Sequence, residues 1–136
     1  MAYGVLKELV AHSRAKFDEA LQKGHSYSWE QRWDEAIQQF LLAVREMPAE
    51  PAAYTGLALA YTETGQLNKA LENYKLAARY TQGDVVYLRP VADLQQRLGQ
   101  LAEAGQTYLA MGEMQLKNHA LREAIESWQQ ATRLAP

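Results

Sequence analysis

The side chains to test first for chemistry are three histidines, His12, His25 and His119, and a set of carboxylates that includes Asp34, Glu35, Glu103, Glu123 and Glu126. A helical di-metal centre needs Glu-x-x-His pairs, and no histidine has a glutamate three positions before it. A metalloprotease helix needs His-Glu-x-x-His, which is also missing. No Gly-rich loop ends in Lys-Ser or Lys-Thr, so no phosphate cradle of that kind is encoded. His12 and Ser13 adjoin in sequence, but adjacency does not create the geometry of a nucleophile and its base. The histidines read as surface or capping residues, and the carboxylates as solvated charges with i,i+4 partners. These residues predict no enzyme, no metal and no cofactor.

The same residues lie on a strongly periodic scaffold. Residues 51–84 read as two amphipathic helices joined by a tight turn. Tyr54, Leu57, Ala58 and Tyr61 share one helix face, and Leu67, Ala70, Leu71, Tyr74 and Ala77 repeat the spacing. Pro51 suits a first helical turn, Gly65 and Gly83 suit helix ends, and Asp84 is placed to cap the next helix. A shift of 34 residues carries Ala58, Tyr61, Ala70, Tyr74 and Ala77 back onto Gly24, Tyr27, Ala36, Phe40 and Ala43. The same shift forward reaches Ala92, Gln95, Ala104, Tyr108 and Met111. Small residues fall on small ones, and aromatics mostly on aromatics. A small residue lets two helix axes approach, and a neighbour's aromatic fills the space beside it. A helix pair of this size cannot bury its apolar face alone and must stack on copies of itself.

On these residues the chain resembles the tetratricopeptide repeat (TPR) family. One copy carries Gly24, Tyr27, Arg32-Trp33-Asp34-Glu35-Ala36, Phe40, Ala43 and Pro48. The next carries Tyr54, Leu57, Ala58, Tyr61, Gly65, Ala70, Tyr74 and Ala77. The resemblance covers residues 17–136. It implies an all-α fold, a TPR-type antiparallel helix-pair superhelix, or α-solenoid, of about seven to eight helices. The expected organisation is a single domain over 1–136. It comprises a lead-in helix in 1–16, repeat one in 17–50, repeat two in 51–84, repeat three in 85–117 with a shared helix 101–117, and a terminal helix in 118–136. The spacing from Ala104 to Ala124 is 20 residues rather than 34. Helix 101–117 is therefore expected to close repeat three and open the last unit, with Gly112 as its small crossing residue. Leu109, Met114 and Leu116 are expected to share in that double burial. The final proline falls at a repeat boundary, as in a fragment of a longer protein.

Finer expectations attach to particular residues. His12-Ser13 is the plausible break between a helix at 3–12 and one at 14–29. Leu41 and Leu42 lie off the main stripe of their helix and are expected under the following repeat. Pro90 either kinks its helix or delays its start to near Arg89. Gln95 stands where the pattern wants an aromatic. Trp33 and Trp128 read as core.

The resemblance further implies that the exposed faces of the first helices line a concave groove that grips a peptide. Its residues are Leu21, His25 and Trp29 in repeat one, Thr55, Leu59 and Thr62 in repeat two, and Arg89, Asp93 and Arg97 in repeat three. Trp29 beside Leu21 and Leu59 is the natural anchor. Burial under the lead-in helix is the competing reading for Trp29. A Lys and Asn clamp for chaperone C-termini is not encoded, because the matching positions are Leu21, His25 and Gly56. The implied role is a protein-binding scaffold, with a self-associating module working through its terminal helices as the alternative.

Composition agrees with this class. Fourteen basic and sixteen acidic residues leave a net charge of −2, which disfavours a nucleic-acid binder. There is no cysteine, hence no disulfide framework. No apolar run approaches the ~20 residues of a membrane span. A cytoplasmic setting, a protein or peptide partner, and neither nucleic acid nor membrane are the resulting expectations.

Overall fold

A computed structural model describes residues 2–135. Seven helices occupy the described residues: α1 (Ala2–Trp29), α2 (Trp33–Glu46), α3 (Pro51–Glu63), α4 (Leu67–Tyr80), α5 (Val85–Arg97), α6 (Leu101–Lys117) and α7 (Leu121–Leu134). The chain divides into two compact units, one ending at Gln66 and one beginning at Leu67.

In the first unit, α2 packs against both α1 and α3. Phe40 is fully buried at the centre of that packing. A Cβ built on Gly24 of α1 would meet its ring at 2.6 Å, and one built on Gly56 of α3 would meet it at 2.5 Å. The two glycines thus form the walls of a slot that only a residue without a side chain can make. Ala36 and Leu57 bury beside the ring, while Phe17, Ala20, Ala43 and Ala53 form an adjoining cluster. The α2–α3 turn is tied by the Tyr54 hydroxyl, which donates to the Pro48 carbonyl at 2.6 Å. Pro51 opens α3 where a missing N–H costs nothing.

In the second unit, α5 packs on α4 and α6, and α7 packs on α6. One side of α6 contributes Tyr108 and Met111 to a core with Ala92, Ala131, Val85, Leu88 and Leu134. Its other side is built from small and polar residues. Gly112 makes room for the Trp128 indole, and Gly105 for the Cβ of Ala135. The double use expected of this helix is present, but not through the residues expected to share it. Leu109 and Leu116 are about half exposed and Met114 is partly buried. A face pressed closely against α7 needs glycine, and long apolar side chains would hold the axes apart.

The repeat register is written in the turn hydrogen bonds. Arg32 N donates to the Tyr27 carbonyl, Gln66 N to Tyr61, Gln100 N to Gln95 and Ala120 N to Gln115, at 2.7–2.8 Å. These acceptors are spaced by 34, 34 and 20 residues. At each turn one residue takes the left-handed conformation: Gln31 (φ 59), Gly65 (φ 78), Gly99 (φ 77) and His119 (φ 61).

Three expectations are corrected. No break occurs at His12-Ser13, because α1 is one helix of 28 residues. Neither residue interrupts the backbone hydrogen-bond ladder, and neither is a proline or glycine. Leu41 and Leu42 are not covered but about half exposed. α2 spends its Ala36–Phe40–Ala43 face on α1 and α3, and these leucines lie off that face. α5 starts at Val85 rather than near Arg89, despite Pro90 within it. Asp84 fixes the start by accepting the Val86 N–H at 2.9 Å.

Left-handed backbone costs an ordinary residue about 1 kcal/mol, which glycine escapes. Gln31 and His119 are both exposed, so their side chains contribute little packing. Gln31→Gly and His119→Gly are each expected to raise stability by about 0.5–1 kcal/mol, read from urea midpoints at unchanged slope.

Candidate protein-binding faces

In the first unit α1 carries Leu21, His25 and Trp29 at i, i+4 and i+8, which aligns them along one face. That face opens onto a groove of about 570 Å3, whose lining also includes Asp18, Gln22, Ser26 and Glu30. Leu21 is half-buried against the α2 core, His25 is exposed, and Trp29 is 90% exposed. Burial of Trp29 under a lead-in helix is excluded, because the residues before it belong to the same helix and run away from it. The His25 ring stands edge-on to Phe40, with centroids 5.2 Å apart. The base of this face is thereby tied to the ring that organises the unit.

Thr55, Leu59 and Thr62 lie on α3. Leu59 is 45% exposed, and the two threonines are half-buried. The Thr55 hydroxyl donates to the Ala52 carbonyl and the Thr62 hydroxyl to the Ala58 carbonyl, both at 2.8 Å. Their donors are therefore spent on the helix itself, and each offers a ligand only an acceptor and a methyl group.

In the second unit Arg89, Asp93 and Arg97 form an exposed row on α5. Arg89 also lines a small polar cavity of about 150 Å3 with Tyr108, Gln115, Glu123, Glu126, Ser127 and Gln130. Two carboxylates thus share the surroundings of its guanidinium. The pull on an acidic partner expected from Arg89 is correspondingly weakened, and helix α7, remote in sequence, is the cause. Burial pushes the Tyr108 hydroxyl above its ordinary pKa, Asp93 adds to the rise, and Arg89 and Arg133 oppose it.

Glutamine replaces the aromatic of the repeat pattern twice here, and both times it is buried. Gln95 accepts from the Thr107 hydroxyl at 2.6 Å. Gln115, with its amide nitrogen turned to its acceptors, donates to Ser127 Oγ (2.6 Å) and to the Glu123 and Met111 carbonyls (3.0 and 3.2 Å). Each glutamine meets a hydroxyl twelve residues on. The substitution preserves the repeat by replacing an apolar contact with a satisfied polar one. A matching pair of Gln and Ser/Thr at that spacing is a signal the sequence carries, and only an aromatic pattern was sought.

Among the described residues no group of three or more His, Cys, Asp or Glu side chains is placed to hold a metal ion. No described helix is long and apolar enough to cross a membrane.

Comparison with known proteins places this architecture. No family model matches the chain. Hsp70-Hsp90 organizing protein 2 of Arabidopsis thaliana is 30% identical over 56 residues, which is 41% of this chain and 10% of that protein. The chain thus matches about a tenth of the length of this curated relative. Among solved structures, the TPR2B domain of yeast Sti1, in complex with an Hsp70 peptide, superposes with a TM-score of 0.70. It is 20% identical and covers 88% of this chain and 98% of its own. The Sgt2 TPR domain of Aspergillus fumigatus gives 0.66 at 20% identity, over 86% of this chain and 77% of its own. The second TPR domain of human RPAP3, in complex with an HSP70 peptide, gives 0.70 at 15% identity, over 88% and 98%. The chain has the tetratricopeptide-repeat fold, and its sequence resembles that family at the small and aromatic positions of each helix pair.

Removing the Ser127 hydroxyl leaves the buried Gln115 amide short of one partner. Ser127→Ala is expected to cost about 1–3 kcal/mol in chemical denaturation, although serine is only slightly larger than alanine. A cost below a few tenths would show that the pair contributes nothing.

Proposed function

We propose that this chain is a non-enzymatic protein-interaction module that binds a partner peptide along the α1 face of its first unit. The observation that carries the reading is Trp29, an indole left 90% exposed at one end of an open groove. Large apolar side chains so exposed on an otherwise well-packed helix are costly to keep in water and are typical anchors of recognition. Leu21 supplies an apolar floor, and Asp18, Gln22 and Glu30 supply polar edges. Two acidic side chains on that rim favour a segment that is apolar with a basic or neutral flank. Leu59, Thr55 and Thr62 on α3 offer a second strip of mixed character in the same unit. Arg89, Asp93 and Arg97 offer the second unit's own polar contacts.

The structures similar to this one lend support in kind. Domains of Sti1 and RPAP3 are described in complex with peptides of HSP70. Those likenesses support peptide recognition as the use of such a face. The particular clamp is not carried over, since Leu21 and His25 cannot supply the Lys and Asn of a carboxylate clamp. A partner other than an acidic chaperone tail follows from those side chains.

The test is a peptide-array or pull-down selection from the source organism, followed by titration of the selected segment against Trp29→Ala. Affinity is expected to fall about tenfold or more, equivalent to about 1.4 kcal/mol, because a central aromatic anchor is lost. Stability should stay within about 0.5 kcal/mol of the parent, as for other exposed positions. Unchanged affinity would remove the site from this face.

A further inference from the structure

The apolar row of α1 continues beyond the helix that covers it. Tyr3, Leu6, Val10, Ser13, Phe17, Ala20, Gly24 and Tyr27 follow one another at steps of three and four. This is the seam spacing of paired helices. From Phe17 onward α2 covers the seam. α2 ends at Glu46, and the first turns of α1 stand past it with nothing over them. There Leu6 is 60% and Val10 61% exposed, and Tyr3, Val5 and Leu9 are likewise open. The overhang is firmly based, because Arg14 holds Glu50 at 3.0 Å and so ties α1 to the start of α3. Between the overhang and the α2–α3 turn lies an apolar groove of about 330 Å3, floored by Leu6, Leu9, Val10, Met47 and Pro48.

We propose that this overhang is a homodimer surface, in which the first three turns of α1 lie antiparallel in the corresponding groove of a second copy. The charges favour a second copy over an unrelated helix. Lys7 follows directly on Leu6 beside the seam, and Glu46 stands on the opposite wall of the groove. Neither makes an ion pair among the described residues. In a two-fold arrangement Lys7 of each copy meets the partner's Glu46, so both charges are answered twice. Length fits as well, since residues 2–12 make about 16 Å of helix, three turns, which is what the uncovered seam requires.

Area points the same way. Each of the five open side chains carries on the order of 100 Å2 of apolar surface. With Met47 and Pro48 the patch reaches about 500 Å2, near the upper end of what a monomer leaves exposed. Two such patches facing each other bury about 1,000 Å2, the lower bound for a specific interface. A weak, reversible dimer is the expected result, and two-fold closure stops assembly there.

Sedimentation velocity from about 10 to 500 μM tests this, a range that brackets the affinity such an area supports. The parent chain is expected to shift from monomer to dimer across the range. Leu6→Glu and Val10→Glu are each expected to weaken association about tenfold or more, with helical circular dichroism unchanged because both sites are already in water. Lys7→Glu and Glu46→Lys should each weaken it, and their combination should recover it. Trp29→Ala should leave it unaffected, which separates this surface from the peptide-binding face. A strict monomer at the highest concentration, a dimer indifferent to Leu6→Glu, growth beyond the dimer, or no recovery in the charge-swapped pair would each overturn the proposal.

Discussion

The structure depends on one steric bargain, in which an aromatic ring occupies space that a neighbouring helix vacates by having no side chain. In the first unit Phe40 takes the space and Gly24 and Gly56 give it up. In the second, Trp128 takes it and Gly112 gives it up. The ring and the glycine are sixteen residues apart in both cases, one on each helix of a pair. Glycine inside a helix costs about 1 kcal/mol in propensity. Full burial of an aromatic side chain returns about 1.5–3 kcal/mol and fixes the axial approach of the pair. The exchange is favourable and also directional, since a ring held between two walls cannot slide along the helix.

That directionality decides which faces are left for water and for partners. With its Phe17–Ala20–Gly24 row committed to α2, α1 presents Leu21, His25 and Trp29 at the edge of that contact and beyond it. The edge-on contact of His25 with Phe40 joins the packed interior to the open face through a single ring. The same commitment leaves the N-terminal turns of α1 uncovered where α2 stops. Both exposed surfaces of this helix therefore follow from one packing choice, and they lie at opposite ends of it.

Much of this was legible in the residues. The 34-residue spacing of small and aromatic side chains marks which positions pack, and the turn hydrogen bonds at Tyr27, Tyr61 and Gln95 fall in the same register. The shortened spacing from Ala104 to Ala124 marks a helix used on both sides, because one element is missing between them. Other features were hidden for physical reasons. Continuity of α1 through His12-Ser13 depends on backbone geometry that weak helix formers permit as readily as they break. Exposure of Leu41, Leu42, Leu109 and Leu116 could not be foreseen, because hydrophobicity marks what can be buried rather than what is. The two carboxylates near Arg89 come from α7, more than thirty residues away, where no local pattern links them.

The most direct trial of the steric bargain is a double-mutant cycle between Gly24 and Phe40, followed by chemical denaturation. A Cβ at position 24 would lie 2.6–2.9 Å from three atoms of a ring that is fully buried. Gly24→Ala alone should therefore destabilise by about 1–3 kcal/mol despite the better helix propensity of alanine. In the Phe40→Leu background the same change should cost little or become favourable, giving a coupling of at least about 1 kcal/mol. Strictly additive effects would show that ring and glycine do not constrain each other, and the account of why these helices pack as they do would be wrong.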